Sequence, residues 1–259
     1  MRSIVLGLLL AFSLATRGAE PATPSTFRVM TYNIHHAQGL DGKVDVERIA
    51  KVINTQKVDL VALQEVDRST LRTDRRDLPA ELAKLTGMYS YFERNIDYQG
   101  GEYGNAILSR FPLLHGTNVH YQMLKPHEQR GLLQVVLEVH GRKLLFMNTH
   151  LDYHNDDAER ATDVSTIKAA MDAQPGLAVV LCGDFNGRPG SGIYTRLQGF
   201  LSDTWKTVGK GPGFTFSSSA PWQRIDFIWH SKGLRPLHAS VPETTGSDHL
   251  PVVAEFALE

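Results

Sequence analysis

Polar residues able to hold a metal ion or a phosphate recur at the ends of short apolar runs. Val29 to Tyr32 leads into Asn33, and Leu60 to Gln64 leads into Glu65. Leu144 to Thr149 leads into His150, and Val179 to Gly183 leads into Asp184, with Asn186 two residues on. Asn105 stands before Ala106-Ile107-Leu108, Asp226 before Phe227-Ile228-Trp229, and Asp248-His249 before the last run. Taken singly, each has a plain structural use. Asn33 could cap a turn, Glu65 could be a solvated strand end, His150 a satisfied half-buried histidine, and 183–187 (GDFNG) no more than a turn. Seven such coincidences at run boundaries are hard to put down to structure alone.

The runs themselves read as strands: Phe27–Tyr32, Leu60–Gln64, Ala106–Leu108, Leu132–Val139, Lys143–Thr149, Ala178–Leu181, Phe227–Trp229 and Val252–Phe256. His140-Gly141 predicts a hairpin between the fourth and fifth. Helical periodicity falls between strands. Ile49, Val52 and Ile53 share a face, with Asp45 as N-cap. Leu82 and Leu85 share another, with Pro79 in the first turn and Gly87 as the stop. Val164, Ile167 and Met171 mark a longer helix ended by Pro175-Gly176. Mixed strands with intervening helices predict an α/β sandwich. One strand's end and its antiparallel neighbour's start share a sheet edge, so the polar groups can gather at one rim on a rigid scaffold.

The chain has 259 residues, 42% hydrophobic and 21% charged, which excludes a disordered chain, a collagen-like repeat and a disulfide-stapled miniprotein. With 27 Lys+Arg against 28 Asp+Glu, no strong global field draws it to nucleic acid or an acidic membrane. Arg2, the apolar run Ile4 to Leu14 and the small residues after it read as a signal peptide, 1–18, too short to span a bilayer comfortably. This predicts an exported protein, periplasmic or secreted. Cleavage after Gly18 removes Arg2 and Arg17 and leaves 25 basic against 28 acidic residues, a net −3. Residues 19–26 read as a Pro/Thr linker and 27–259 as one domain, a monomer. The single cysteine, Cys182, lies in an apolar run and reads as a buried structural thiol; no intrachain disulfide can form.

In order along the chain stand TYNIHH (31–36), LQEVD (63–67), YGNAILSR (103–110), NTHLD (148–152), GDFN (183–186), RIDFIW (224–229) and SDHLPV (247–252). This ordered set resembles the endonuclease/exonuclease/phosphatase superfamily, in particular its small exported bacterial members. TYNIHH, GLDGKVD and YGNAILSR are also similar to the hydrolase-like domain of a family linked to glycosylphosphatidylinositol remodelling. The resemblance implies a DNase I-like fold, a four-layer sandwich of two mixed β-sheets flanked by helices, and metal-dependent hydrolysis of a phosphate ester.

A phosphodiester resists water because its charge repels the nucleophile and its leaving oxygen departs poorly; a hard cation answers both problems. The resemblance then assigns Glu65 as first metal ligand, with Asn33 giving a neutral oxygen beside it and Asp248 a second contact or a backbone organiser. Hard cations prefer oxygen donors and a lone cysteine offers no thiolate zinc site, so Mg²⁺ is expected, with Mn²⁺ as substitute. Asp184 would orient or deprotonate the attacking water, and Asn186 fix that water or a phosphate oxygen. His249 would contact the phosphate, with Asp226 on its other nitrogen fixing the tautomer. His150 would contact the phosphate from the opposite side, with a role as acid for the leaving group. Asn105 would bind phosphate. An Asp184-centred and a His-centred base look alike in the sequence, and so do one metal and two.

Arg68, Arg72, Arg75 and Arg76 crowd a loop in which Asp67, Asp74 and Asp77 dilute the charge; the loop is solvated, or Arg72 clamps a phosphate. Tyr103 could line the pocket. His35 and His36 back the site or form a surface turn. Phe214, Phe216 and Trp222 pack their loop, or stack on a base or touch lipid. Three functions compete. The near-neutral charge favours a phosphodiesterase or phosphatase acting on a phospholipid, inositol-type or other small phosphorylated substrate, with transient membrane-lipid contact. A secreted nuclease would want clustered Lys/Arg to grip nucleic acid, which is therefore the less favoured partner. A non-catalytic binding module is disfavoured, because every motif position carries a chemically competent residue.

Overall fold

The computed structural model describes residues 25–154 and 157–258; the predicted signal peptide lies outside them. The first half of the chain gives β1 (Thr26–Asn33), α1 (Val46–Gln56), β2 (Leu60–Arg68), α2 (Leu78–Thr86), β3 (Tyr89–Tyr98), β4 (Gly101–Ser109) and β5 (Leu113–His120). The middle gives β6 (Gly131–Val139), β7 (Arg142–His150), α3 (Asp157–Asp172), β8 (Ala178–Asp184) and α4 (Gly192–Gln198). The last part gives β9 (Ser202–Asp203), α5 (Thr204–Val208), β10 (Asp226–His230), β11 (Leu234–Ser240) and β12 (Val252–Leu258). Thr26 thus already belongs to β1, inside the stretch read as linker.

Two six-stranded sheets result, ordered β11-β12-β1-β2-β4-β3 and β5-β6-β7-β8-β10-β9. Each has one parallel pair at its centre, β1 with β2 and β7 with β8. A parallel pair needs a crossover, and α1 and α3 supply the two. The flanking strands β12, β4, β6 and β10 run antiparallel to these pairs. The C-terminal ends of β1, β2, β7 and β8 therefore share a sheet edge with the N-terminal starts of β10 and β12. Asn33, His150, Asp184 and Asp226 sit at such ends, Glu65 lies inside β2 three residues short of its end, and His249 lies in the loop before β12.

Alternation along each strand builds the layers. Val29, Leu60 and Ala62 of the first sheet meet Leu133, Phe146 and Val180 of the second in the central core. Met30, Val61 and Leu63 face the other way and pack on Ile49 and Ile53 of α1 and Leu82 of α2. Leu145, Leu181 and Trp229 pack on Val164 and Ile167 of α3 and Ile193 and Leu197 of α4. The result is a four-layer sandwich of two mixed sheets flanked by helices. Cys182 is fully buried in its central core.

Local signals hold where predicted. Asp45 Oδ1 accepts from Arg48 N at 2.8 Å and caps α1. Gly87 ends α2 in the left-handed region. Leu85, expected on the apolar face of α2, is 40% exposed instead. Asn105, read as preceding a strand, lies inside β4, and β2 continues past Glu65 to Arg68. Among the described residues no helix is long and apolar enough to cross a membrane.

Candidate active site

β1 and β2 run side by side, with Asn33 opposite Gln64. One residue on, the register of β2 against β4 shifts and Glu65 takes φ +56°. A bulge with a non-glycine residue in the left-handed region is costly, and such outliers cluster at functional sites. The bulge brings the Glu65 carboxylate to Asn33, whose Nδ2 donates to Glu65 Oε1 at 2.9 Å and to Asp184 Oδ2 at 3.1 Å. Asn33 Oδ1 accepts from His35 N at 3.1 Å. The oxygen expected at a metal is thus engaged by the backbone, and the amide bridges two carboxylates.

The second sheet contributes from the facing side. Parallel pairing sets His150 beside Asp184, and antiparallel pairing sets Asp226 beside Asp184. A Cβ on Gly183 would lie 2.2 Å from Thr149 O, so this close strand approach requires glycine. Asp184 Oδ2 is 3.5 Å from His150 Nε2 and 3.7 Å from His249 Nε2. His249 Nδ1 meets Asp226 Oδ2 at 3.0 Å, the partnership the sequence predicts. Ser247 Oγ donates to Asn33 O at 2.7 Å and ties the final loop to the end of β1.

Electrostatics separate the roles. Burial, then the Asp226 charge, push the Asp184 carboxyl up to about 7. Burial opposes charge on His249, but Asp226 and Asp184 outweigh it and raise the imidazole to about 10. His150 moves the other way, held well below its ordinary value by burial, Arg130 and His249. Arg130 Nη1 sits 2.8 Å from His150 Nδ1. A guanidinium only donates, so Nδ1 accepts and Nε2 carries the proton. His150 is therefore a neutral donor aimed at Asp184, which does not suit the proposed acid role.

A cavity of about 370 Å³ is lined by Glu65, Asp184, Asn186, His150, Asp248 and His249. Arg72, Tyr98, Tyr103, Glu128, Arg130, Tyr153 and Phe216 close the rest. Asn186, at φ +46°, donates its backbone N–H to Asp184 Oδ1 at 3.0 Å. Its side-chain Nδ2 donates to Leu151 O at 2.9 Å, and Arg160 Nη1 donates to its carbonyl at 3.1 Å. Arg72 reaches the cavity but is clamped on Asp67 through two bonds of 2.7 and 2.8 Å. The rest of that arginine loop is turned to its own neighbours: Arg68 pairs with Glu102 and Arg76 with Glu81. Asn105 is buried in β4, off the cavity lining, with Nδ2 unpartnered. Phe216 packs on His249, ring centroids 4.8 Å apart, while Trp222 is 54% exposed.

Sequence reasoning passed over Arg130, Glu128, Tyr98 and Tyr153. Arg130 alone had a usable signal. It stands immediately before β6, and that strand's antiparallel start lies beside the end of β7 that carries His150.

The donors present fit a divalent cation. Glu65 offers a half-buried carboxylate in the cavity lining, Asp248 lines the same cavity, and His35 and His36 each bring a ring nitrogen within 4.8 Å of a Glu65 carboxylate oxygen. Burial, then Arg72 and His35, hold the His36 ring down at about 4, so it is neutral.

The fold is a four-layer α/β sandwich of two mixed sheets, with carboxylates, amides and histidines converging at one rim. The Endonuclease/Exonuclease/phosphatase family profile matches residues 30–249, and the chain belongs to that family, whose members are hydrolases. The protein YbhP of Escherichia coli (strain K12) is 27% identical over 251 residues, covering 90% of this chain and 97% of its own. An endonuclease/exonuclease/phosphatase structure from Beutenbergia cavernae DSM 12333 superposes with TM-score 0.76 at 24% identity, covering 90% of this chain and 72% of that one. The mannosyl-6-phosphatase Bt3783 of Bacteroides thetaiotaomicron VPI-5482 superposes with TM-score 0.77 at 18% identity, covering 90% and 100%.

Proposed function

We propose that the protein hydrolyses a phosphate ester of a small substrate, a phosphodiester or phosphomonoester, with a divalent cation at Glu65. The observation that carries this reading is the placement of Asp184 between two histidines of opposite character, 3.5 and 3.7 Å away, and its link through Asn33 to Glu65. A divalent cation, Mg²⁺ or Mn²⁺, would neutralise the phosphoryl oxygens and ease departure of the leaving oxygen. Asp184 takes the proton of the attacking water, since its raised affinity places it near neutral, where a base works best. His249, kept charged by Asp226, faces the phosphoryl oxygens, and neutral His150 donates to them through Nε2. Asp248 stands at the cavity wall as a second cation contact.

A cavity of about 370 Å³ suits one small organic group. Tyr98, Tyr103 and Tyr153 offer aromatic faces for it. The cations on its wall, Arg72 and Arg130, are paired with Asp67 and Glu128, which leaves little positive charge to follow a nucleic-acid backbone. Export, read from residues 1–18, and a monomeric state complete the proposal. The test is one panel under identical metal conditions: plasmid DNA, single-stranded DNA, RNA, sphingomyelin, a phosphoinositide and a nitrophenyl phosphodiester. Turnover of the small ester that stops with chelator and returns with Mg²⁺ or Mn²⁺ supports the reading. DNA cleavage with no turnover of the other esters replaces it with a nuclease.

A further inference from the structure

Two histidines beside Glu65 have no part in the reaction above. His35 and His36 follow Asn33 directly, and one nitrogen of each ring lies within 4.8 Å of the other and of a Glu65 carboxylate oxygen. His36 is 5% exposed, and its Nδ1 is buried with no hydrogen-bond partner. The neighbouring amide decides which nitrogen is bare. Gln38 Nε2 donates to Gly42 O at 3.3 Å, so Gln38 Oε1 is the atom that meets His36 Nε2 at 2.9 Å. An amide oxygen only accepts, so Nε2 carries the ring proton and Nδ1 presents an unused lone pair. An outer hydrogen bond that fixes the tautomer and leaves the other nitrogen free is how a metal-binding histidine is held.

The surroundings tolerate a cation. His35 Nδ1 lies 3.8 Å from Asp248 Oδ1, which places a second carboxylate on this flank. Arg72 acts on His36 as a like charge, but its guanidinium is bonded twice to the buried Asp67 carboxylate. Imidazole nitrogens suit first-row transition cations, whereas Mg²⁺ keeps to oxygen ligands and water. We propose that Glu65, His35 and His36 form a two-histidine, one-carboxylate site that selects a first-row transition cation, with Mn²⁺ as the spectroscopic probe, over Mg²⁺. The proposal rests on the reading above for a cation at Glu65, but cation selectivity is measured without any turnover.

The experiment frees the full-length protein of metal with chelator and titrates it with Mn²⁺, following the free ion by electron paramagnetic resonance, with Mg²⁺ as competitor. Wild type holds Mn²⁺ against Mg²⁺ in about tenfold to hundredfold excess. His36→Ala loses Mn²⁺ affinity by about tenfold or more while Mg²⁺ affinity stays, so the preference collapses. Gln38→Leu removes the acceptor that fixes the ring proton and weakens Mn²⁺ in the same direction, which keeps the test open if His36→Ala does not fold. An unchanged Mn²⁺-to-Mg²⁺ ratio in the folded variants overturns the proposal. Hydrolysis on Mg²⁺ with that unchanged ratio leaves the hydrolytic reading standing alone. A His36-dependent Mn²⁺ preference in a protein that turns over no phosphate ester supports the site and removes the hydrolytic reading.

Discussion

Arg130 Nη1 donates to His150 Nδ1 across 2.8 Å, and this one bond sets what His150 can do. It fixes the ring proton on Nε2, toward Asp184, and sets a positive charge against any second proton. Between about pH 5 and pH 8, nitrogen chemical shifts of His150 should report a single neutral Nε2–H tautomer. In Arg130→Met the Nε2–H tautomer should no longer be fixed, while burial and His249 still hold the ring below its ordinary value. A His150 that titrates in wild type would contradict this assignment.

His249 carries the opposite charge state because Asp226 holds its Nδ1. Asp226→Asn keeps the shape and removes the anion. Turnover should fall by about 10²-fold or more. The alkaline limb of the pH profile should move toward neutrality, since His249 then loses its proton earlier. A limb that stays in place would assign the alkaline group elsewhere.

The two raised groups also fix how the pH profile and the stability run. In the metal-free protein Asp184 is raised to about 7 and His249 to about 10. A bound cation favours the carboxylate and shifts the acid limb down. Both groups bind protons more tightly folded than unfolded, so stability falls as pH rises. The Asp184 part falls from about pH 4 to about 7, and the His249 part from about 6.5 to about 10. His36 and His150, held low, oppose the Asp184 part below about pH 6.5, so the melting temperature of metal-free protein should decline through the upper window, and Asp226→Asn should flatten that decline.

Beneath the site the sheets are joined by side chains. Gln64 Nε2 donates to Asn148 Oδ1 at 2.7 Å, and Asn148 Nδ2 donates to the carbonyls of Leu63 and Ala106, both at 2.8 Å. Asn148→Ala strips these buried groups of a partner, at about 1–3 kcal/mol for each group left unpaired. Denaturant unfolding measures the loss, and an unchanged midpoint would show that the link carries no stability.

The sequence displayed the inner strands and hid the outer ones. The eight runs read as strands became β1, β2, β4, β6, β7, β8, β10 and β12, which occupy the interior of the two sheets. The strands passed over, β3, β5, β9 and β11, are the four edges. An interior strand buried on both faces shows a continuous apolar run, while an edge carries charge, bulges and even Pro236. The same physics governed the site. Residues closing an apolar run, such as Glu65 and Asp184, stood out by contrast. Tyr98 ends an edge strand and Glu128 lies in a polar loop, so neither had a background against which to be noticed.

The central claim is that Glu65, Asp184 and His249 grip one cation and one phosphorus centre. The most direct measurement is a crystal structure grown with Mn²⁺ and inorganic phosphate, with the cation located by its anomalous signal. The account predicts the cation on the Glu65 carboxylate and the phosphate between His150 Nε2 and His249 Nε2. A cation bound away from Glu65, or a phosphate outside this cavity, would contradict it.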